Sequence, residues 1–213
     1  MNAVNYQRKL EETLRELQGR PTLLLHACCA PCSSYVLEYL TAYFDILLYY
    51  YNPNIAPVEE YERRLNEARR LVREMGLEER VRVIEGAYEP ERFEAITAGL
   101  EDAREGGPRC ERCFRLRLGE AARAAREWGA DYFTTTLTVG RQKNAAMLNA
   151  IGQELERACG VRYLCSDFKK RGGFDRSVEL CAQYGLYRQD YCGCVYSKRA
   201  AQRRHMQEKG EEE

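Results

Sequence analysis

Long apolar runs are missing from this chain. No segment approaches the ~18 consecutive apolar residues of a membrane-spanning helix. Met1-Asn2-Ala3-Val4-Asn5 leads into a charged amphipathic stretch instead of an apolar leader, so no secretory signal is expected. Neither sign of charge is in excess, with 33 basic against 33 acidic residues, so no overall field draws the protein to nucleic acid or membrane. Lysine is scarce beside arginine. The planar guanidinium suits phosphate and carboxylate recognition, although genome composition produces the same bias. Internal repeats and linkers are also absent, and 213 residues fit one domain with a full core.

Cysteine is abundant, with 10 residues. Secreted disulfide scaffolds are small and carry a leader, so the expected compartment is the cytoplasm, where clustered thiols point to metal or redox chemistry. The chain is organised around Thr22–Ser34, TLLLHACCAPCSS. The apolar run Leu23–Leu25 reads as a buried strand that enters His26-Ala27-Cys28-Cys29-Ala30-Pro31-Cys32, with a helix following at about Tyr35–Leu40. Open α/β folds bind ligands at such strand–turn–helix junctions. Here the junction carries three thiols where a phosphate loop would carry glycines.

Further strands are expected at Phe44–Tyr51, Val81–Ile84, Tyr132–Leu137 and Val161–Leu164, with helices between them. Helices are expected at Tyr6–Leu17, Val58–Met75, around Phe93–Leu100, from Cys110 to Trp128, at Ala145–Ala158 and near Arg176–Tyr184. Alternation without hairpin signals predicts a doubly wound parallel five-stranded sheet with helices on both faces. One α/β metal-binding domain is expected over 1–205, with 1–20 a leading helix. A basic tail helix follows Cys194, and an acidic, disordered end is expected over 206–213.

Cys110-x-x-Cys113 follows the Gly106-Gly107-Pro108 break, and its i,i+3 spacing puts both sulfurs on one helical face. An iron–sulfur cluster or a structural zinc wants four ligands. Cys28, Cys29, Cys110 and Cys113 make four if the loop after the third strand folds over the first junction. Cys192-Gly193-Cys194 suits a labile disulfide or metal ligation. Cys159, Cys165 and Cys181 read as core residues, and His26 as hydrogen-bonded packing. Two cationic loops, Arg141-Gln142-Lys143-Asn144 and Lys169-Lys170-Arg171-Gly172-Gly173, follow strands four and five on the same edge as the thiols, well placed for phosphate.

Taken in order, HACCAPCSS, YYNPNIAP, CERC, TTTLTVGRQKN, SDFKKRGG and DYCGC resemble the epoxyqueuosine reductase family QueH, over about Leu23 to Ser197. The resemblance implies a fold like the adenine-nucleotide α-hydrolases (HUP/PP-loop-like). It also implies cobalamin-independent reduction of epoxyqueuosine to queuosine in tRNA, the last step of queuosine biosynthesis. It further implies a [4Fe–4S] cluster held by Cys28, Cys29, Cys110 and Cys113, and a redox-active pair in Cys192 and Cys194. An additional adjacent iron is implied, with Cys32, Asp167, Cys192 and Cys194 as candidate ligands. Expected partners are the tRNA, docking on Arg141, Lys169 and Arg171, and an external electron donor. The rival readings are an ATP-using PP-loop enzyme, a thioredoxin-like thiol oxidoreductase and a zinc-stabilised nucleic-acid-binding module. The first lacks its Ser-Gly-Gly-x-Asp-Ser loop, and the second does not explain Cys28 or the second CxxC.

Overall fold

The structure is a computed structural model that describes residues 4–211. Five strands form one all-parallel sheet in the order β3-β2-β1-β4-β5: β1 (Thr22–His26), β2 (Asp45–Tyr50), β3 (Val81–Glu85), β4 (Tyr132–Thr135) and β5 (Arg162–Tyr163). The order reverses between β1 and β4, whose register pairs Leu23 with Tyr132 and His26 with Thr135. In open α/β sheets that switch point opens a crevice at the carboxyl ends of the strands. This is the doubly wound architecture that the alternation of elements predicted.

Successive residues of β1 face opposite sides. Leu23 and Leu25 enter a core with α1 (Tyr6–Glu16), α2 (Ala30–Leu40), α3 (Val58–Glu74) and α7 (Gly173–Gln183). Leu24 and Phe133 pack on the other face against α5 (Pro108–Glu127) and α6 (Ala145–Cys159). Gly152 lets α6 lie flat on β5: a Cβ there would stand 2.3 Å from the Tyr163 ring. The short α4 (Pro90–Thr97) precedes α5, and α8 (Val195–Glu211) ends the described chain.

Three boundaries differ from expectation. α2 begins at Ala30 because Pro31 sits in its first turn, where its missing N–H costs nothing, so Cys32 is helical. β4 stops at Thr135, whose hydroxyl takes the Leu137 N–H and turns Thr136–Val139 into a 3-10 helix. At the far end the acidic residues are helical as far as Glu211, while 212–213 lie outside the described residues. Among the described residues, no helix is long and apolar enough to cross a membrane.

Candidate metal and thiol centre

The site is built on the end of β1. His26 is fully buried; its Nε2 donates to the Tyr51 carbonyl at 3.2 Å and its Nδ1 accepts from the Thr135 hydroxyl at 2.9 Å. A carbonyl can only accept, so the ring is the neutral Nε2–H tautomer. Burial, helped by Arg117, pulls its pKa down to about 3. Both ring nitrogens are committed, so His26 braces the junction and is no ligand.

Beyond it, Cys29 takes the N-cap position of α2 with extended backbone, and Cys32 lies in the helix's first turn. The Cys28, Cys29 and Cys32 sulfurs all lie within 4.8 Å of one another, with Cys28 and Cys29 at 3.7 Å. Hydrogen bonds from Cys29 and Cys32 hold the Cys28 thiol well below its ordinary pKa. The same contact with Cys28 pushes Cys29 up to about 12 and also raises Cys32. The crowding thus favours the thiolate at Cys28 and disfavours it at Cys29 and Cys32. A soft cation at their centre would relieve the crowding and allow more than one thiolate.

α5 brings the second thiol pair. Cys110, Cys113 and Arg117 stand at i, i+3 and i+7, one face of the helix. Cys110 packs against the group that contains Cys28 and Cys29, and its sulfur accepts the Gly106 N–H at 3.2 Å. Cys113 and Cys194 pack on Phe93. Two cavities adjoin here. Cys110, Cys113, Cys192 and Cys194 line a slot of about 20 Å³, and Cys28, Cys29, Cys32 and Cys192 line a cleft of about 230 Å³. Cys192 faces both. Of the expected quartet, Cys28 and Cys29 close with Cys32, while Cys110 and Cys113 line the adjoining slot with Cys192 and Cys194.

The Tyr191–Cys194 strap is held from below. Arg64 Nη1 donates to the Cys192 carbonyl at 3.1 Å, and the Ala56 N–H donates to the Gly193 carbonyl at 3.1 Å. Gly193 has φ +119°, and a Cβ there would lie 2.9 Å from Ile55 Cγ1. Only glycine fits both the dihedral and the space. Glu60 Oε1 accepts from Arg64 Nε at 2.7 Å, so this buried cation has its carboxylate.

The cations differ in what they face. Arg141 is exposed beside the cleft, with Asp175 at 3.1 Å and its guanidinium 4.0 Å over the Phe174 ring. Lys143 lines the cleft and pairs with Glu105 at 3.2 Å. Lys169 pairs with Asp167, and Arg171 pairs with Glu11 at 3.1 Å. Arg171 and Asp167 line a separate hollow against α1, away from the thiols.

Sequence reasoning missed Arg117 and Arg64. Both are 1 % exposed. Arg117 had a signal in the sequence, being four residues past Cys113 on a helix already expected there. Arg64 reads in the sequence as the i,i+4 partner of Glu60 on a solvated helix face; the pair forms but is buried, and the contact with Cys192 that explains this spans 128 residues.

The family model described as epoxyqueuosine reductase QueH matches residues 23–200. A Staphylococcus epidermidis protein named epoxyqueuosine reductase QueH is 43% identical over 201 residues, covering 91% of this chain and 84% of its own. A Streptococcus pyogenes serotype M1 protein of the same name is 42% identical, covering 91% and 78%. One from Thermotoga maritima is 35% identical, covering 87% and 95%. The motifs that line the crevice all fall within the matched span, and the chain belongs to the epoxyqueuosine reductase QueH family.

Proposed function

We propose that this protein reduces epoxyqueuosine in tRNA to queuosine in the cytoplasm, without cobalamin, at a thiol-held iron–sulfur centre in the β1/β4 crevice. The observation that carries the reading is the convergence of seven cysteines on that crevice, three of them within 4.8 Å of one another. The donor set suits iron and sulfide: all sulfur, no imidazole in reach, half-enclosed by Phe114, Leu118 and Leu137. Cys28, Cys29, Cys110 and Cys113 would hold a [4Fe–4S] cluster. Cys32, Cys192 and Cys194 remain for an adjacent iron or for a dithiol that an external electron donor regenerates. Asp167 is the weaker candidate, since Lys169 already holds it.

The net reaction opens an epoxide to an alkene with loss of water and consumes two electrons and two protons. When bound, a cluster supplies electrons one at a time, which is why a second reservoir belongs beside it. The chain's own residues do the rest. Arg141 and Lys143 at the cleft mouth bind tRNA phosphates and orient the splayed base toward the sulfurs. Lys169 and Arg171, on the same edge, contact phosphate, like Arg141 and Lys143, by exchanging their acidic partners. The buried wall behind Cys28 and Cys29 excludes water from the reacting carbon–oxygen bond.

The test is anaerobic purification followed by iron and sulfide quantification, electron paramagnetic resonance, and turnover of epoxyqueuosine-containing tRNA with a chemical reductant. Nucleoside mass spectrometry should show queuosine appearing. Zinc without sulfide, or no queuosine from a fully loaded protein, would overturn the proposal.

A further inference from the structure

The chain buries two arginines among its largest inaccessible side chains, Arg64 and Arg117. Burying a cation costs several kcal/mol unless an anion faces it, and arginine cannot escape the cost by losing its proton. Arg64 has Glu60. Arg117 has no carboxylate among the described residues. Its one hydrogen bond of good geometry runs from Nη2 to the neutral amide oxygen of Asn52 at 2.6 Å. Its Nε and Nη1 are inaccessible to solvent and find no acceptor of good geometry. What surrounds it is sulfur: Cys113 as a looser neighbour one turn back on α5, with Cys28 and Cys192 close enough to act on its charge. Arg117 also forms part of the cleft wall that holds Cys28, Cys29 and Cys32.

We propose that Arg117 is a positioning residue, the fixed counter-ion of the thiol–metal centre, held toward the sulfurs by Asn52 so that they can carry net negative charge. The inference rests on the functional reading above and goes further, since it assigns a charge to the occupant of the cleft. Four thiolates around a cluster leave a surplus of negative charge in a low-dielectric pocket, which one guanidinium offsets. Asn52 is suited to the holding role. Its Nδ2 donates to the Ala27 carbonyl at 2.9 Å, which ties the loop carrying Cys28 to the guanidinium by way of one side chain. A neutral amide there leaves the cation's charge unspent for the sulfurs, as a carboxylate would not.

The experiment uses the full chain, loaded anaerobically with iron and sulfide, and reads iron release to a chelator and the midpoint potential of the centre. Arg117→Met should release iron at least about tenfold faster than wild type, the order expected for losing one opposite charge beside a buried anionic group. Its potential should move negative, because reduction adds charge that no cation offsets. Arg117→Lys should recover part of both. Asn52→Asp leaves the guanidinium in place but gives it a carboxylate, so its potential should also move negative; this variant carries the test if Arg117→Met fails to fold. Wild-type release and potential in Arg117→Met, or in Asn52→Asp, would show that Arg117 merely fills space. A wild-type protein that holds no iron–sulfur centre would overturn the functional reading itself, and this inference with it.

Discussion

Two cationic regions share the carboxyl edge of the sheet, and their charges are balanced in opposite ways. In the loop after β5, the half-buried Lys169 faces the buried Asp167 and the exposed Arg171 faces Glu11, so the positive charge is neutralised within the chain. Behind the loop after β1, Arg117 is buried against sulfur with no acid beside it among the described residues. A balanced surface pair asks nothing of a ligand and contributes little to stability. An unbalanced buried cation is tolerable only if something negative belongs there. On the proposed reading, the contrast separates a region shaped by folding from one shaped for an occupant.

The sharpest way to break this comparison is to remove the negative side of the buried region. Cys29→Ser should cut iron retention and queuosine formation by more than about a hundredfold, with the fold intact by circular dichroism, since a structural site binds through its full ligand set. If Cys29→Ser stays loaded and active, the thiol group is not the occupant's shell.

Removing the carboxylate of the other buried arginine tests the charge rule on a cation that has its own acid in the chain. Glu60→Gln should cost about 3 kcal/mol in urea unfolding, because it takes from buried Arg64 its one carboxylate partner among the described residues. It should also make Cys192 alkylate faster, since Arg64 holds that carbonyl. Gly193→Ala should cost about 1–3 kcal/mol, from φ +119° and the contact with Ile55, and should loosen the same strap.

The smallest effects belong to the balanced region. Arg171→Ala should change the KM for tRNA by less than about threefold; a larger rise would mean that phosphate displaces Glu11. Its pH signature has a definite sign. The Arg171 hydrogen bond holds the Glu11 carboxyl below its ordinary pKa. The pair's contribution is therefore present above the unfolded carboxylate pKa and is lost as pH falls through the lower folded value. Thermal midpoints of wild type and Arg171→Ala should differ slightly at neutral pH and converge in acid.

How much of this was legible beforehand follows from how far each signal reaches along the chain. The five strands were readable as apolar runs of strand length bounded by turns, and parallel pairing followed from the intervening helices. Cys110 and Cys113 sat on a helix face as their spacing implied. The thiol-rich segment has no helical periodicity, so sequence pattern starts α2 too late, although Pro31 marks a first turn. Cys32 therefore appeared as a loop residue, when it is the third member of the close sulfur group. Lys169 and Arg171 looked available for phosphate because their acidic partners are not all local; Glu11 is 160 residues away.

Local periodicity and turn chemistry, then, determined by themselves the alternating elements, the parallel sheet and the thiols at its rim. The tertiary structure alone decided which sulfurs meet and which cations are left without an acid. The reason is distance along the chain. Asn52 and Arg117 are 65 residues apart, and Arg64 and Cys192 are 128 apart. Such partners meet only once strand order and helix packing are set, and no pattern of nearby residues encodes that meeting.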